Sequence, residues 1–267
     1  MPHDFRARRP VLDALREKRN VMSAVMLRDM RTRFFNHGLG FLMVSLWPLA
    51  HIGMLLLIYK LFGRTTPFGE SLFVFFATGL IPTLTFMYIS RFMSLSLILN
   101  RPMLGFPVVK VLDIMAARAL LEIIAAFVTL FLVFVILLLM GDNPFPRDPV
   151  QAVCAYLSLL LLAIGVGSIA GVIAMFMSFF VTIYALFVLL VYFLSGTLFV
   201  ASALPDSIAY PLSFNPVLHA VEWMRVSYYE GYSDRLLDKA YLIQFGLASL
   251  CIGLLLERTL RRIMLEG

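Results

Sequence analysis

Between Asp148 and Asp206 the chain runs for 57 residues without one charged side chain. As a single helix rising 1.5 Å per residue, that stretch would be about 85 Å long, against a hydrocarbon core of about 30 Å. It must therefore fold back as a hairpin of two spans, over about residues 151–175 and 180–201, with the turn near Met177-Ser-Phe-Phe180. Apolar runs of bilayer length also cover residues 41–61, 71–99 (interrupted only by Arg91), 123–140 with a start one or two turns earlier, and 240–256. The sequence thus predicts an all-α integral membrane protein with six transmembrane helices.

Composition agrees: 61% of residues are hydrophobic and 14% charged, where a soluble domain carries about 25% charged residues. This excludes an ordinary cytosolic enzyme, a disordered regulator and a disulfide scaffold. Cys154 and Cys251 lie in apolar runs and read as small core residues rather than a bridge or metal site. Of the 22 lysines and arginines, 16 fall where six spans place them on one side: before Phe41, from Arg91 near the end of span two to Arg118, and after span six. The positive-inside rule makes that side cytoplasmic, with both ends of the membrane region facing it. Topology therefore explains the net charge of +6, and nucleic-acid binding is not needed. No signal peptide is expected, because a polar stretch rather than a short apolar segment follows Arg8-Arg9.

Three segments between the spans stand out. Residues 11–35 carry Val11, Leu12, Leu15, Met22, Val25, Met26, Met30 and Phe34 at helical spacing, as in a basic amphipathic helix at the inner membrane surface, with room for a break near Asn20. Such a helix can also dock a cytoplasmic partner. The connection from Asn100 to Lys110 holds Pro102, Gly105 and Pro107, which stop span two and leave space for a short transverse helix. Its apolar Met103, Leu104 and Phe106 must pack on the membrane surface or in a partner's groove. The external segment 204–239 is too aromatic for a solvated loop and suits re-entrant or interfacial half-helices. In it, His219, Glu222 and Arg225 share a helical face and read as a structural polar cluster; a metal site would need more ligands.

Polar groups within spans are candidates for function by default. Arg91 sits near the cytoplasmic end of span two, where snorkelling is the plain alternative. His51 follows Pro48 by three residues and either lines a cavity or satisfies a carbonyl freed by the proline. Arg118 and Glu122, four apart, form a structural pair, and Gly165, Gly167 and Gly171 permit close helix packing. A phosphate-binding loop of the G-x-x-x-x-G-K-[ST] type is missing, as is any nucleophile–base–orienter set. A pump of this kind needs its energy from a separate chain.

Several short motifs, in order, carry a family likeness: Leu27-Arg-Asp-Met-Arg-Thr-Arg-Phe34, Leu39-Gly40, Pro48 and His51, Gly79-Leu-Ile-Pro82, Ala117-Arg-Ala-Leu-Leu-Glu122, and Asn215-Pro216 with His219, Glu222, Arg225 and Gly231. On these residues the chain resembles the type-2 ABC exporter permeases, in the capsular-polysaccharide branch of the KpsM type. The resemblance implies one transmembrane domain over residues 1–267, with a cytoplasmic and interface part (1–40), a six-helix membrane region (41–257) and a cytoplasmic tail (258–267). It implies a homodimer working with two copies of a cytoplasmic ABC ATPase, which binds ATP and Mg while this chain holds no cofactor. ATPase contact would fall on Arg28, Arg31, Arg33 and Phe34 of the N-terminal helix and on Arg101, Met103, Leu104 and Phe106 of the coupling helix. The half-helices around Asn215, Pro216, His219, Glu222 and Arg225 would shape the periplasmic exit and meet a periplasmic co-export protein and outer-membrane channel.

The implied cargo is a lipid-linked polysaccharide moved from cytoplasm to periplasm. Trp47, Tyr59, Tyr88 and Phe92, with His51, would offer stacking surfaces along its path, and Lys60, Arg64 and Arg91 would meet anionic groups at the two ends. The alternatives are a permease for O-antigen, teichoic acid, a lipid or a drug; a membrane-embedded lipid-sugar transferase, which would need clustered carboxylates or a metal; and a non-catalytic assembly factor.

Overall fold

The structure, a computed structural model, describes residues 11–33 and 40–266; the expectations for Phe34 and for the basic residues before Val11 lie outside them. The described residues are helical, without a strand: α1 (Val11–Arg33), α2 (Gly40–Leu61), α3 (Leu72–Leu99), α4 (Val111–Leu139), α5 (Pro149–Phe176), α6 (Phe180–Phe193), α7 (Asp206–Leu212), α8 (Pro216–Tyr228) and α9 (Lys239–Glu266), with a tight 3₁₀ turn at Arg101–Gly105. Four of them, α3, α4, α5 and α9, are long and apolar enough to cross a membrane. Leu46–Leu61 of α2 and the whole of α6 are shorter apolar stretches.

Local chemistry sets the boundaries. Ser71 caps α3, its hydroxyl accepting from the Val74 N–H at 3.2 Å. The Asp148 carboxylate caps α5 at Gln151 N–H with Pro149 at the first helical position, the favoured pairing of an acidic cap with an N1 proline. The hairpin turn falls between Phe176 and Phe180, as the sequence predicts. Other boundaries differ from expectation. Helix α1 runs through Asn20 without a break, α4 begins at Val111, three turns ahead of Ile123, and α9 extends past Leu256. Helix α6 stops at Phe193 rather than near residue 201, because Gly196 turns the chain at φ +69°. Its 14 residues span about 21 Å.

Helix α5 is the axis of the bundle, packed between α3 on one side and α9 on the other. Small residues make this approach possible. A Cβ on Gly167 would stand 2.5 Å from Met93 Cβ, and one on Gly171 2.8 Å from the Met93 carbonyl, both on α3. On the opposite face, a Cβ on Gly165 would stand 2.7 Å from Leu250 N of α9. The predicted glycine packing is therefore present, and it serves two partners. The cysteines depart from expectation: Cys154 and Cys251 are free but exposed, on the outer faces of α5 and α9 rather than in the core.

Filling the tightest of these contacts is expected to hurt. Gly167→Ala should destabilise the subunit by about 1–3 kcal/mol through overpacking, although alanine is the better helix former by about 1 kcal/mol. Gly53→Ala on α2, where a Cβ meets nothing within 4 Å, should be neutral or stabilising. Thermal unfolding of the detergent-solubilised subunit distinguishes the two, and equal midpoints would refute the packing argument.

Candidate functional site

At the basic end of the bundle, α1 lies across both ends of the 101–110 connection. Near its middle, the Lys18 ammonium stands 3.4 Å from the buried Asp113 carboxylate at the start of α4. One end of the connection is held by Arg28 and Asp29. Arg28 donates to Asn100 Oδ1 at 2.7 Å and to the Leu99 carbonyl at 3.3 Å, and Asn100 Nδ2 donates to Asp29 Oδ1 at 3.0 Å. The other Asp29 oxygen accepts from Arg118 Nη1 of α4 at 2.8 Å. Arg118 also pairs with Glu122 at 3.0 Å, as the i,i+4 spacing predicts, and its guanidinium lies 5.2 Å from the Phe92 ring centroid.

Asp29 and Asn100 were not legible as a site from residue type alone. The signal was positional: Asp29 falls four residues after Val25 on the apolar stripe of α1, where an acid must find a buried partner. Of the expected coupling residues, Arg28 turns inward to this network, whereas Arg31 and Arg101 are exposed. Met103 and Leu104 pack against the protein's own core, leaving Phe106 and Val108 on the surface at 62% and 50% exposure. The backbone of Arg33 ends α1.

The expected path residues form two groups along α2 and α3. In the first, His51 Nδ1 meets the Tyr88 hydroxyl at 3.3 Å, the Tyr88 and Phe92 rings stack with centroids 6.2 Å apart, and Tyr192 of α6 joins them 6.1 Å from His51. Pro48, Ile81, Tyr88, Phe92, Glu122 and Ala126 line the cleft behind them. Trp47 stands 65% exposed beside it, and Arg91 is exposed. In the second group, nearer the other end, Tyr59 packs on Phe76 at 4.4 Å, Arg64 lies over Tyr59 at 5.5 Å and Lys60 over Phe73 at 5.7 Å. Two cations thus sit on aromatic faces at the end of α2, while the first group offers rings and a histidine.

The opposite end is organised by Arg225. Asn215 caps α8, accepting from Val217 N–H at 3.0 Å ahead of Pro216, and its amide donates to Ser195 Oγ at 2.9 Å. Arg225, fully buried, donates to the Phe199 carbonyl at 2.8 Å and to the Thr197 carbonyl at 3.0 Å. It stacks 4.3 Å from the Phe75 centroid and stands 3.7 Å from Glu222. The Tyr232 hydroxyl donates to Glu222 Oε1 at 2.9 Å. A Cβ on Gly79 would strike Thr197 O at 2.7 Å and Arg225 Nη2 at 2.9 Å, which explains glycine there. Burial pushes the Glu222 carboxyl above the usual range, against the opposing pull of Arg225 and Tyr232.

His219 shares a helix with this cluster but serves another contact. Its Nε2 bonds the Ser213 carbonyl at 2.7 Å, and its Nδ1 accepts from Asp238 N–H at 3.0 Å. That pattern requires the neutral Nε2–H tautomer, and burial accordingly lowers the imidazole below its ordinary value.

Two outcomes are expected. Arg225→Leu should cost about 3–5 kcal/mol by leaving Glu222 and two carbonyls without their cation, read as thermal unfolding; a shift near zero would show that Arg225 does not hold the turn. For His219, a folded value below the unfolded one means its stabilisation is present above the ordinary 6.5 and is lost as pH falls through the lowered value. His219→Gln should therefore remove part of the acid-side loss of stability seen in the parent, measured as midpoint against pH. Parallel curves would contradict the neutral-imidazole assignment.

No family model matches the chain. Among curated proteins, it is 32% identical over 247 residues to the polysialic acid transport protein KpsM of Escherichia coli, covering 92% of this chain and 95% of that one. It is 25% identical over 243 residues to the capsule polysaccharide export inner-membrane protein CtrC of Neisseria meningitidis serogroup A, covering 91% and 92%. It is likewise 25% identical over 239 residues to the capsule polysaccharide export inner-membrane protein BexB of Haemophilus influenzae, covering 89% and 90%. With close to a third of its residues shared along almost the whole length of a KpsM protein, and helices long enough to cross a bilayer, the chain belongs to the family of capsule polysaccharide export inner-membrane proteins.

Proposed function

We propose that this chain is the permease subunit of an ATP-driven ABC exporter that moves lipid-anchored capsular polysaccharide from cytoplasm to periplasm across the bacterial inner membrane. The observation that carries this reading is the near full-length similarity to KpsM, CtrC and BexB. In this reading, α2 to α6 and α9 make six crossings, the basic end faces the cytoplasm, and α7 and α8 are half-helices at the periplasmic exit. The working unit is a homodimer with two copies of a separate ATPase, which binds ATP and Mg. A periplasmic co-export protein and an outer-membrane channel receive the polymer.

The geometry supplies a mechanism for each part. Because α1 grips both ends of the 101–110 connection, the helix and loop move as one body. Exposed Phe106, Val108, Arg31 and Arg101 give that body an apolar and basic face for the ATPase. Sugar rings stack on aromatic faces, and Trp47, Tyr88 and Phe92 line one side of a path in which His51 can share hydrogen bonds. Arg91 meets anionic groups at the entrance, with Lys60 and Arg64 at the exit.

Deleting the gene should trap capsule polymer inside cells, measured by comparing intact cells with lysates. Normal surface polymer would sink the capsule assignment and turn the search to another exported glycopolymer, lipid or drug. Phe106→Asp should weaken co-purification with the ATPase by about tenfold, the 1–2 kcal/mol of one apolar side chain lost from an interface. Arg91→Ala should lower export without affecting that association; unchanged export would remove Arg91 from the path.

A further inference from the structure

Arg118 is the largest fully buried side chain near the basic end, and it touches two machines at once. Toward α1 it holds Asp29 at 2.8 Å, and Asp29 is bonded to Asn100, the last residue before the 101–105 turn. Toward the centre it holds Glu122 at 3.0 Å and lies over the Phe92 ring. Glu122 and Phe92 both line the cleft that includes Tyr88. One guanidinium therefore contacts the body that carries the exposed loop and two side chains that shape the cleft.

Burial makes this connection stiff. Asp29, Asn100, Arg118 and Glu122 are each no more than 5% exposed, so a broken bond among them has little bulk water to replace it. A buried charge separated from its partner carries a heavy desolvation penalty. The planar guanidinium hydrogen-bonds the Asp29 carboxylate through Nη1 and pairs by charge with Glu122, whose Oε1 stands 3.0 Å from Nε. When α1 and the loop shift, Asp29 either carries Arg118 with it or leaves a charge unpaired. Arg118 in turn carries Glu122 and the ring beneath it.

We infer that Arg118 is a positioning residue that transmits movement of α1 and the 101–110 loop to the cleft lined by Tyr88, Phe92 and Glu122. The inference rests on the exporter reading, in which an ATPase drives that loop. It makes Asp29 and Glu122 serial links: breaking either one disconnects the same path.

The test uses the full-length permease reconstituted with its ATPase in lipid nanodiscs. The probe is capsule glycolipid extracted from the cells that encode the chain, and the readouts are ATPase co-purification and the ratio of glycolipid-stimulated to unstimulated ATP hydrolysis. Asp29→Asn and Glu122→Gln should each lower that ratio by at least about fivefold, the low end of coupling between linked sites. The double variant should be no worse than either single one, while the ATPase still co-purifies. Arg118→Lys, which keeps the charge but not the fork, should retain part of the stimulation. Full stimulation in either single variant overturns the inference, as do losses that multiply in the double variant. Loss of co-purification in every variant overturns it too, by assigning the network to assembly alone. An unmutated permease that neither binds the ATPase nor responds to glycolipid would instead sink the exporter reading, leaving the link nothing to transmit.

Discussion

A guanidinium withdrawn from water must have its charge balanced by groups that come to it, and this bundle meets that demand twice. Arg118 at the basic end and Arg225 at the other are both essentially inaccessible, and each collects groups from distant parts of the chain. Arg118 gathers α1, α4 and the ring of Phe92. Arg225 gathers the turn after α6, the Glu222 carboxylate and the Phe75 ring of α3. Hydrocarbon burial supplies little preference between one apolar helix pairing and another, because lipid tails are as apolar as leucine. The directional bonds of the two arginines supply that preference.

Glycine placement completes the arrangement. Helix α5 presents small residues to α3 on one face and to α9 on the other, so three long helices share nearly touching backbones. Helices α2 and α6 lack this intimacy. They show large apolar side chains outward, including Met54, Leu57, Leu186 and Leu190; α2 meets α3 through Tyr59 on Phe76, and α6 meets α2 through Tyr192 beside His51.

Much of this was legible in the sequence because hydrophobic length and capping chemistry are local. The 57 uncharged residues required a hairpin, and its turn lies where the run was expected to break. The Arg118–Glu122 pair followed from helical spacing. The end of α6 was hidden because it depends on a turn held from 28 residues away by Arg225. His219, Glu222 and Arg225 share a face in sequence, yet His219 is claimed by Ser213 and Asp238, contacts that periodicity does not encode. Met103 and Leu104 posed the same difficulty: an apolar residue on a short loop reads alike whether it faces its own core or a partner. The cysteines show the limit of apolar context as a guide, since in a bilayer an apolar run has an outside that is equally apolar.

The glycine seams on α5 have a mechanical consequence. Backbones in contact cannot slide without riding over one another's atoms, so α3, α5 and α9 form a spar that resists shear along its length. Helix α2 joins that spar through the Tyr59 and Phe76 rings, and α6 joins α2 through Tyr192 and His51, contacts that can tilt and restack. Force applied at the basic end would therefore be spent on tilting α2 and α6 rather than on bending the spar, and the bundle would widen sideways while its height stays constant.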